Sequence, residues 1–369
     1  QGFHFDDDNT IVHNSAIRPP VQWHAVWTDP EAFSRTPGAG MFRPLLLTTF
    51  IANYAWSGLD GWSWHVINIA LHACVSVLVV LLTHRLGCRG PSAQAAGVLF
   101  ALHPLCVEPL SYISSRSELL ATGFLLACLL GHMHSRRRAS GRPYLILSVG
   151  ALAAGLLCKA TAATAPLLIG AYEVLVLRSS PRDVIRRSAP AVVLVAAYVL
   201  VVRGLLAEAL LQAPVRDLSA QLATQAKALA YYARLLVMPH PLSVEHPFAV
   251  GRWLELEVWL GVLLLLSVGA IVCYSRDGRW RFSLIWPLLV LLPTIIIPLN
   301  VLVSEHRLYP VLAGLTPFAA HLLPRVRVLR PGLALCAVLL LLLTVQRTAV
   351  WASQRSLWQD ASRWSSAPR

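Results

Sequence analysis

Phe5-Asp6-Asp7-Asp8 sets three carboxylates side by side at the head of a chain that otherwise runs from one apolar segment to the next. Like charges this close resist ionising together, so at least one of the three should hold its proton to a higher pH than usual. A carboxylate tuned that way and placed beside a hydroxyl is a general base for neutral pH. A solvated acidic loop would have the same composition. The weight of the reading therefore falls on which other residues share its side of the molecule.

Three further groups of ionisable residues interrupt the apolar segments. His103-Pro104, Glu108, Tyr112, Arg116 and Glu118 surround one turn. Lys159 separates two apolar runs, and Glu305-His306-Arg307-Leu308-Tyr309 opens a later one. Ionisable side chains at membrane depth are costly and mark functional paths. Each also has a plainer use: Arg116 and Arg307 can pair with Glu118 and Glu305, and Lys159 can reach for lipid headgroups. Taken together they suit group transfer. A phosphate-linked sugar needs positive charge around its leaving group, which Arg and Lys supply as strong donors, while the accepting hydroxyl needs a base. Glycoside hydrolysis would call for two opposed carboxylates on an unactivated bond. A site set in a membrane calls for a lipid as carrier of the sugar.

Other chemistries find little support. His65 and His72 lie seven residues apart, and His132 and His134 sit near a segment end, without zinc-type spacing, so no metal is expected. The seven cysteines show no CxxC pair and fall mostly in apolar runs, as small hydrophobes do. No phosphate-binding loop, dinucleotide fingerprint or serine-nucleophile elbow occurs, which argues against nucleotide-driven chemistry and against a soluble cofactor.

The elements that must hold these residues are membrane helices. The chain has 369 residues, 56% hydrophobic and 13% charged, with a mean hydropathy of +0.60, against about 25% charged in soluble domains. Residues 1–63 hold several tryptophans and only a short apolar piece, and read as a large outer loop with one or two helices on the bilayer surface. Candidate spans follow at 65–83, 92–106, 117–134, 143–158, 160–177, 189–206, 256–274, 283–298, 307–323 and 332–349. The net charge of +13 is mostly arginine between those spans: Arg85 and Arg89; Arg136, Arg137, Arg138 and Arg142; Arg178, Arg182, Arg186 and Arg187; Arg276, Arg279 and Arg281; Arg325, Arg327 and Arg330. These are topology signals rather than a nucleic-acid face, and all five basic loops agree on one cytoplasmic side. The acidic loop and the other three groups then share the outer side. Within 207–255, Leu222, Ala226, Leu229, Tyr232, Ala233 and Leu236 predict an amphipathic helix that stops at Pro239-His240-Pro241. The first residue is Gln rather than Met, which reads as a fragment, with one more helix before it if the intact protein starts in the cytoplasm.

Along most of its length the chain resembles the TMTC-type O-mannosyltransferases and their bacterial relatives, membrane proteins of the GT-C fold that usually continue into tetratricopeptide repeats. The resemblance rests on Phe5-Asp6-Asp7 with Ile11 and Asn14, Arg43-Pro44-Leu45, His65 through Asn68 to His72, and His103-Pro104 through Glu108 to Tyr112-Ile113, Arg116 and Leu119-Leu120-Ala121. It continues in Lys159 and Pro166, Tyr231-Tyr232 to Pro241-Leu242-Ser243, Glu305 with Arg307-Leu308-Tyr309, and the tail from Trp351 to Leu357-Trp358 and Pro368.

The resemblance implies an all-α, GT-C-type multi-span bundle in three parts: the outer loop 1–63, the bundle 64–349, and an outer tail 350–369 leading toward repeats. It also implies inverting transfer of a mannose-like sugar, on the outer face, from a polyprenyl- or dolichyl-phosphate co-substrate to a protein or glycan hydroxyl. Asp6 is the expected base with Asp7 as its partner. Arg116, Lys159 and Arg307 would hold the donor phosphate, and Glu108 and Glu305 would orient cations or sugar hydroxyls. The family usually has Glu after the lysine. Here Ala160 follows Lys159, so that charge pair is missing from the local sequence. The Arg/Ala/Leu bias favours a bacterial inner-membrane relative with the site facing the periplasm; in a eukaryote the site would face the lumen of the endoplasmic reticulum. Two rival readings remain: a transporter of a lipid-linked sugar, and a non-catalytic anchor for partner-binding repeats.

Overall fold

In the computed structural model, residues 2–137, 141–211, 216–297, 301–322 and 329–364 are described; Arg138, Arg325, Arg327 and Pro368 lie outside them. The chain begins with a cap carrying α1 (Trp23–Thr28) and α2 (Pro44–Ser57). Next come α3 (Gly61–Arg85), α4 (Pro91–Ala101), α5 (Val107–Ser111), α6 (Arg116–Ser135), α7 (Arg142–Leu156), α8 (Ala165–Ala171) and α9 (Pro181–Leu211). The remainder forms α10 (Leu218–Val237), α11 (Leu256–Tyr274), α12 (Gly278–Ile296), α13 (Leu308–Leu322), α14 (Leu329–Val350) and α15 (Gln354–Trp364). No strand occurs among the described residues.

The centre is α6, with 83% of its apolar window buried against α3, α7 and α13. The outer helices are the reverse. Only 6% of the window of α9 and 11% of those of α11 and α14 are buried, and Ile185, Val193, Leu200, Leu266, Leu335 and Val345 point outward. Apolar girdles this extensive are stable against lipid rather than water. The chain is an all-α, multi-span membrane protein.

Six described helices reach spanning length and hydropathy: α3, the Ile113–Ser135 segment, α9, α11, α12 and the Gly332–Val350 segment. The other four apolar segments of the sequence form shorter or broken helices. The 92–106 segment ends at Ala101 and turns by 56° into Pro104–Ser111, because Pro104 has no N–H to continue the helix and disfavours helical backbone before it. The 160–177 segment starts as a 3₁₀ turn, passes through α8 and closes in a π-helical turn. The segments at 143–158 and 307–323 give the 15-residue helices α7 and α13.

Residues 2–63 carry the two helices α1 and α2, within the one or two expected for the outer loop. They build a small cap with its own core of Ile11, Ile17, Val26, Phe33, Phe50 and Trp64, closed by Ile113 from the bundle. Trp23, Trp27, Trp56 and Trp62 remain exposed, whereas Trp64 is fully buried. The amphipathic helix of the long loop is α10: Ala226, Leu229 and Tyr232 of the expected stripe are buried, while Leu235 is buried in addition and Leu222 is exposed.

At the end of the bundle away from the cap, Glu173 is fully buried and lies 2.8 Å from His132 Nε2 and 2.9 Å from Arg136 Nε. Arg85 bonds His134, and Arg178 donates to the Arg276 carbonyl over 3.4 Å. Arg85, Arg136 and Arg178, from three of the basic loops, thus lie at the end opposite the acidic cap.

Gly261 brings α11 against α10, where an added Cβ would strike the Ala226 carbonyl, whereas Gly269 on the same helix has open space around it. Gly261→Ala should therefore destabilise the protein by about 1–3 kcal/mol through overpacking, seen as a lower Tm in detergent. Gly269→Ala should be neutral or stabilising. Equal effects of the two changes would mean that α10 and α11 do not pack this closely.

Candidate active site

The three aspartates diverge because they lie in a tight turn. Phe5 has a positive φ of 57°, a left-handed backbone that costs a non-glycine residue about 1–2 kcal/mol, and the next three side chains leave in different directions. Asp7 turns inward and is fully buried. Its carboxylate accepts hydrogen bonds from His4 N (3.1 Å), Ile113 N (3.2 Å), Ser114 N (2.7 Å) and Ser114 Oγ (2.7 Å). Asp6 stays exposed, and its Oδ2 accepts the Tyr112 hydroxyl proton over 2.9 Å. Asp8 is also exposed and meets His13 at 3.3 Å.

One aspartate is raised, as the crowding argument requires, but for a different reason. Burial pushes Asp7 up to about 6, against the pull of its hydrogen bonds, which favour the anion. The raised group is therefore the anchored one, and the carboxylate that reaches solvent is Asp6.

The cations divide between two duties. Arg116, at the head of α6, is fully buried. Its Nε donates to Asn68 Oδ1 (2.7 Å), and its Nη2 donates to Asn53 Oδ1 (2.8 Å) and the Trp64 carbonyl (3.2 Å). The guanidinium also sits about 5 Å from the Phe50 and Trp64 rings. It joins α2, α3 and α6 and does not meet Glu118. Lys159, an extended residue between α7 and the following 3₁₀ turn, takes Glu118 instead, at 2.7 Å. The charge pair absent from the local sequence is thus supplied from α6. The Lys159 side chain is 18% exposed, and the charges of Glu118, Arg43 and Arg307 all act on it.

Arg307 donates to the Val301 and Leu302 carbonyls at 2.9 and 3.1 Å, which leaves it at the mouth of α13 and not paired with Glu305. Beside it, His306 N donates to Glu108 Oε2 over 3.1 Å, and the His306 ring lies 2.8 Å from Glu108 Oε1. Arg43 completes the group. It donates to Ser117 Oγ over 3.4 Å, stacks 5.0 Å from the Phe33 ring, and feels the charges of Glu118 and Tyr112. Tyr112 in turn feels Asp6, Asp7 and Glu108. Asp6, Asp7 and Glu108 thus act on Tyr112, Tyr112 on Arg43, and Arg43 and Arg307 on Lys159, while Arg116 and Glu305 are tied to other partners.

Glu305 is fully buried and accepts Ser243 N over 2.7 Å and Arg347 Nη2 over 3.3 Å. Sequence reasoning assigned no role to Arg43, His306 or Arg347. Arg43 stood in the Arg43-Pro44-Leu45 piece of the resemblance without a role, and Arg347 was hidden inside an apolar span. His72 bonds Tyr309 OH (2.8 Å) and lies 3.2 Å from the Ala101 carbonyl, a packing role. Among the described residues, no three His, Cys, Asp or Glu side chains group as a metal site.

These features define a multi-span membrane protein with a polar site built where its helices break, opposite a basic rim. No family model matches the chain, and no solved structure does. Curated proteins do. The chain is 34% identical over 185 residues to Protein O-mannosyl-transferase Tmtc2 of Drosophila melanogaster, covering 47% of this chain and 20% of that protein. It is 32% identical over 182 residues to Protein O-mannosyl-transferase TMTC3 of Mus musculus, with the same coverage. It is 29% identical over 199 residues to Protein O-mannosyl-transferase TMTC4 of Homo sapiens, covering 47% of this chain and 27% of that one. The chain is thus similar to TMTC proteins over about half of its length, and it spans about a fifth of the length of the first two relatives.

Asp7 also gives a pH signature. A carboxyl raised in the fold holds a proton that the unfolded chain releases, so stability falls as pH climbs from the ordinary 3.8 through about 6, then levels off. Relative to Asp7→Asn, wild-type protein in detergent should lose about 3 kcal/mol across that window. A flat difference between pH 4 and pH 7 would remove the assignment.

Proposed function

We propose that the chain is the membrane-embedded catalytic part of a glycosyltransferase. It moves a mannose-like sugar from a polyprenyl- or dolichyl-phosphate donor to a hydroxyl of a protein acceptor, with inversion. The observation that carries this reading is one exposed carboxylate, Asp6, oriented by Tyr112, with Arg43 in the field of Tyr112 and both Arg43 and Arg307 acting on Lys159. The names of the relatives support both the reaction and the protein acceptor.

In this mechanism Asp6 accepts the proton of the acceptor hydroxyl, whose oxygen attacks C1 of the sugar. The bond from C1 to the phosphate oxygen breaks, and its electron pair leaves on the phosphate. Arg43, Lys159 and Arg307 stabilise the charge that develops there, as positioned charged donors do. Tyr112 orients the base, and Asp7 holds the turn that presents it. Glu118 orients Lys159, and Glu108 orients His306. Arg116 and Glu305 act as supports, with Arg116 Nε and Nη2 and the Glu305 carboxylate engaged inside the protein. The basic rim supports an orientation with that end in the cytoplasm and the site on the outer or lumenal face. The three-part division into cap, bundle and tail belongs to the same reading.

Two substitutions test it in protein reconstituted with a lipid-phosphate sugar. Asp6→Asn should lower kcat by about 10²–10⁴-fold with an unchanged Tm. Wild-type turnover in that variant would exclude Asp6 as base. Lys159→Ala should weaken donor binding by about tenfold or more, the loss of a charged hydrogen bond; unchanged donor affinity would exclude the phosphate role.

A further inference from the structure

The tail is built into the site, and two of its tryptophans bear on the aspartate. Trp351, at the end of α14, is fully buried and stacks on Tyr112, with ring centroids 6.4 Å apart and planes at 18°. Tyr112 is the residue whose hydroxyl holds Asp6. Trp358, on α15, lies 6.0 Å from the ring of Phe5, the left-handed residue that precedes Asp6. Phe5 in turn meets Tyr112 edge-on at 5.7 Å. The two rings flanking the carboxylate are thus held from behind by two indoles.

The corner that carries those indoles is itself fixed. Arg347 Nη1 donates to Asp360 Oδ2 of α15 (3.0 Å) and to the Leu242 carbonyl (3.1 Å), and its Nη2 reaches Glu305. Leu357 is buried beneath the same turn, packed with Val107 and Trp351. An ion network and an apolar contact therefore keep α15 against the bundle. Trp358 Nε1 donates to Gln354 Oε1 within the helix (3.1 Å), which orients its ring.

We propose that Trp351 and Trp358 are positioning residues for Asp6, acting through Tyr112 and Phe5, so that the C-terminal helix is part of the catalytic apparatus rather than a spacer after it. The proposal rests on the transferase reading for its kinetic consequence but not for its structural one. Without Trp358 the left-handed Phe5 loses its outer packing, and the turn carrying Asp6 relaxes.

Trp358 is 42% exposed, so its replacement leaves the fold intact. The test compares wild type, Trp358→Ala and Trp358→Phe as intact protein in lipid nanodiscs. Two readouts are used: hydrogen exchange of the 3–14 segment, and transfer kinetics. Trp358→Ala should lose exchange protection in 3–14 and nowhere in α6. It should also lower kcat by about tenfold or more, within the range that a displacement of about 1 Å produces, with donor KM unchanged. Trp358→Phe should restore both. Unchanged protection in Trp358→Ala would overturn the proposal, as would a fall in turnover with protection intact, since Trp358 would then touch substrate itself. Absence of any transfer by wild type would end the transferase reading, and the exchange result alone would decide the clamp.

Discussion

The Asp7 carboxylate is the join between the acidic turn and the membrane bundle. Four hydrogen bonds converge on it, three of them from Ile113 and Ser114 at the start of the central helix, more than a hundred residues along the chain. A buried anion is tolerated only when its lone pairs are satisfied, so the turn and the helix head are fixed to each other or not formed at all. Thr10 reinforces the join, with its hydroxyl 2.5 Å from Ser114 Oγ. The direction in which Asp6 points follows from the anchoring of its neighbour.

The site occupies the places where helices fail to continue. Glu108 and Tyr112 follow the bend at Pro104, Lys159 is a single extended residue between two helical pieces, and Arg307 belongs to a 3₁₀ turn at the head of α13. Irregular backbone at membrane depth survives only where it is buried in protein or lines a polar cavity. Each break frees backbone groups that then hold side chains, as the Val301 and Leu302 carbonyls hold Arg307. The shortness of α7, which keeps it below full spanning length, is the same feature seen from the helix's side.

Charged residues next to one another in sequence take different partners in space. Arg116 and Glu118 are both on the first turn of α6, yet Arg116 goes to two asparagines and Glu118 to Lys159. Glu305 and Arg307 share one 3₁₀ turn, yet Glu305 goes to Arg347 and Arg307 to backbone. Residues two apart on a helical turn point roughly opposite ways, so the nearest opposite charge along the chain is the wrong partner. This division leaves Arg116 as a buried tie between helices and Arg307 at the mouth of α13.

How much of this was legible in the sequence can be traced residue by residue. Hydropathy and the spacing of arginines were enough for an all-α membrane protein, because lipid imposes length and composition on any segment that crosses it. The acidic turn, the Glu108 to Arg116 segment, Lys159 and the Glu305 to Arg307 turn stood out because charge is rare among apolar residues. Which aspartate is anchored and which is free was decided only by the packing of Ser114 against the turn. The same holds for the use of Arg116 as a buried tie, the supply of Glu118 to Lys159, and the packing of Trp351 on Tyr112 and Trp358 on Phe5. Local composition dictates which segments leave water. Pairing between residues a hundred positions apart depends on the angles at which whole helices meet, and no local pattern encodes those.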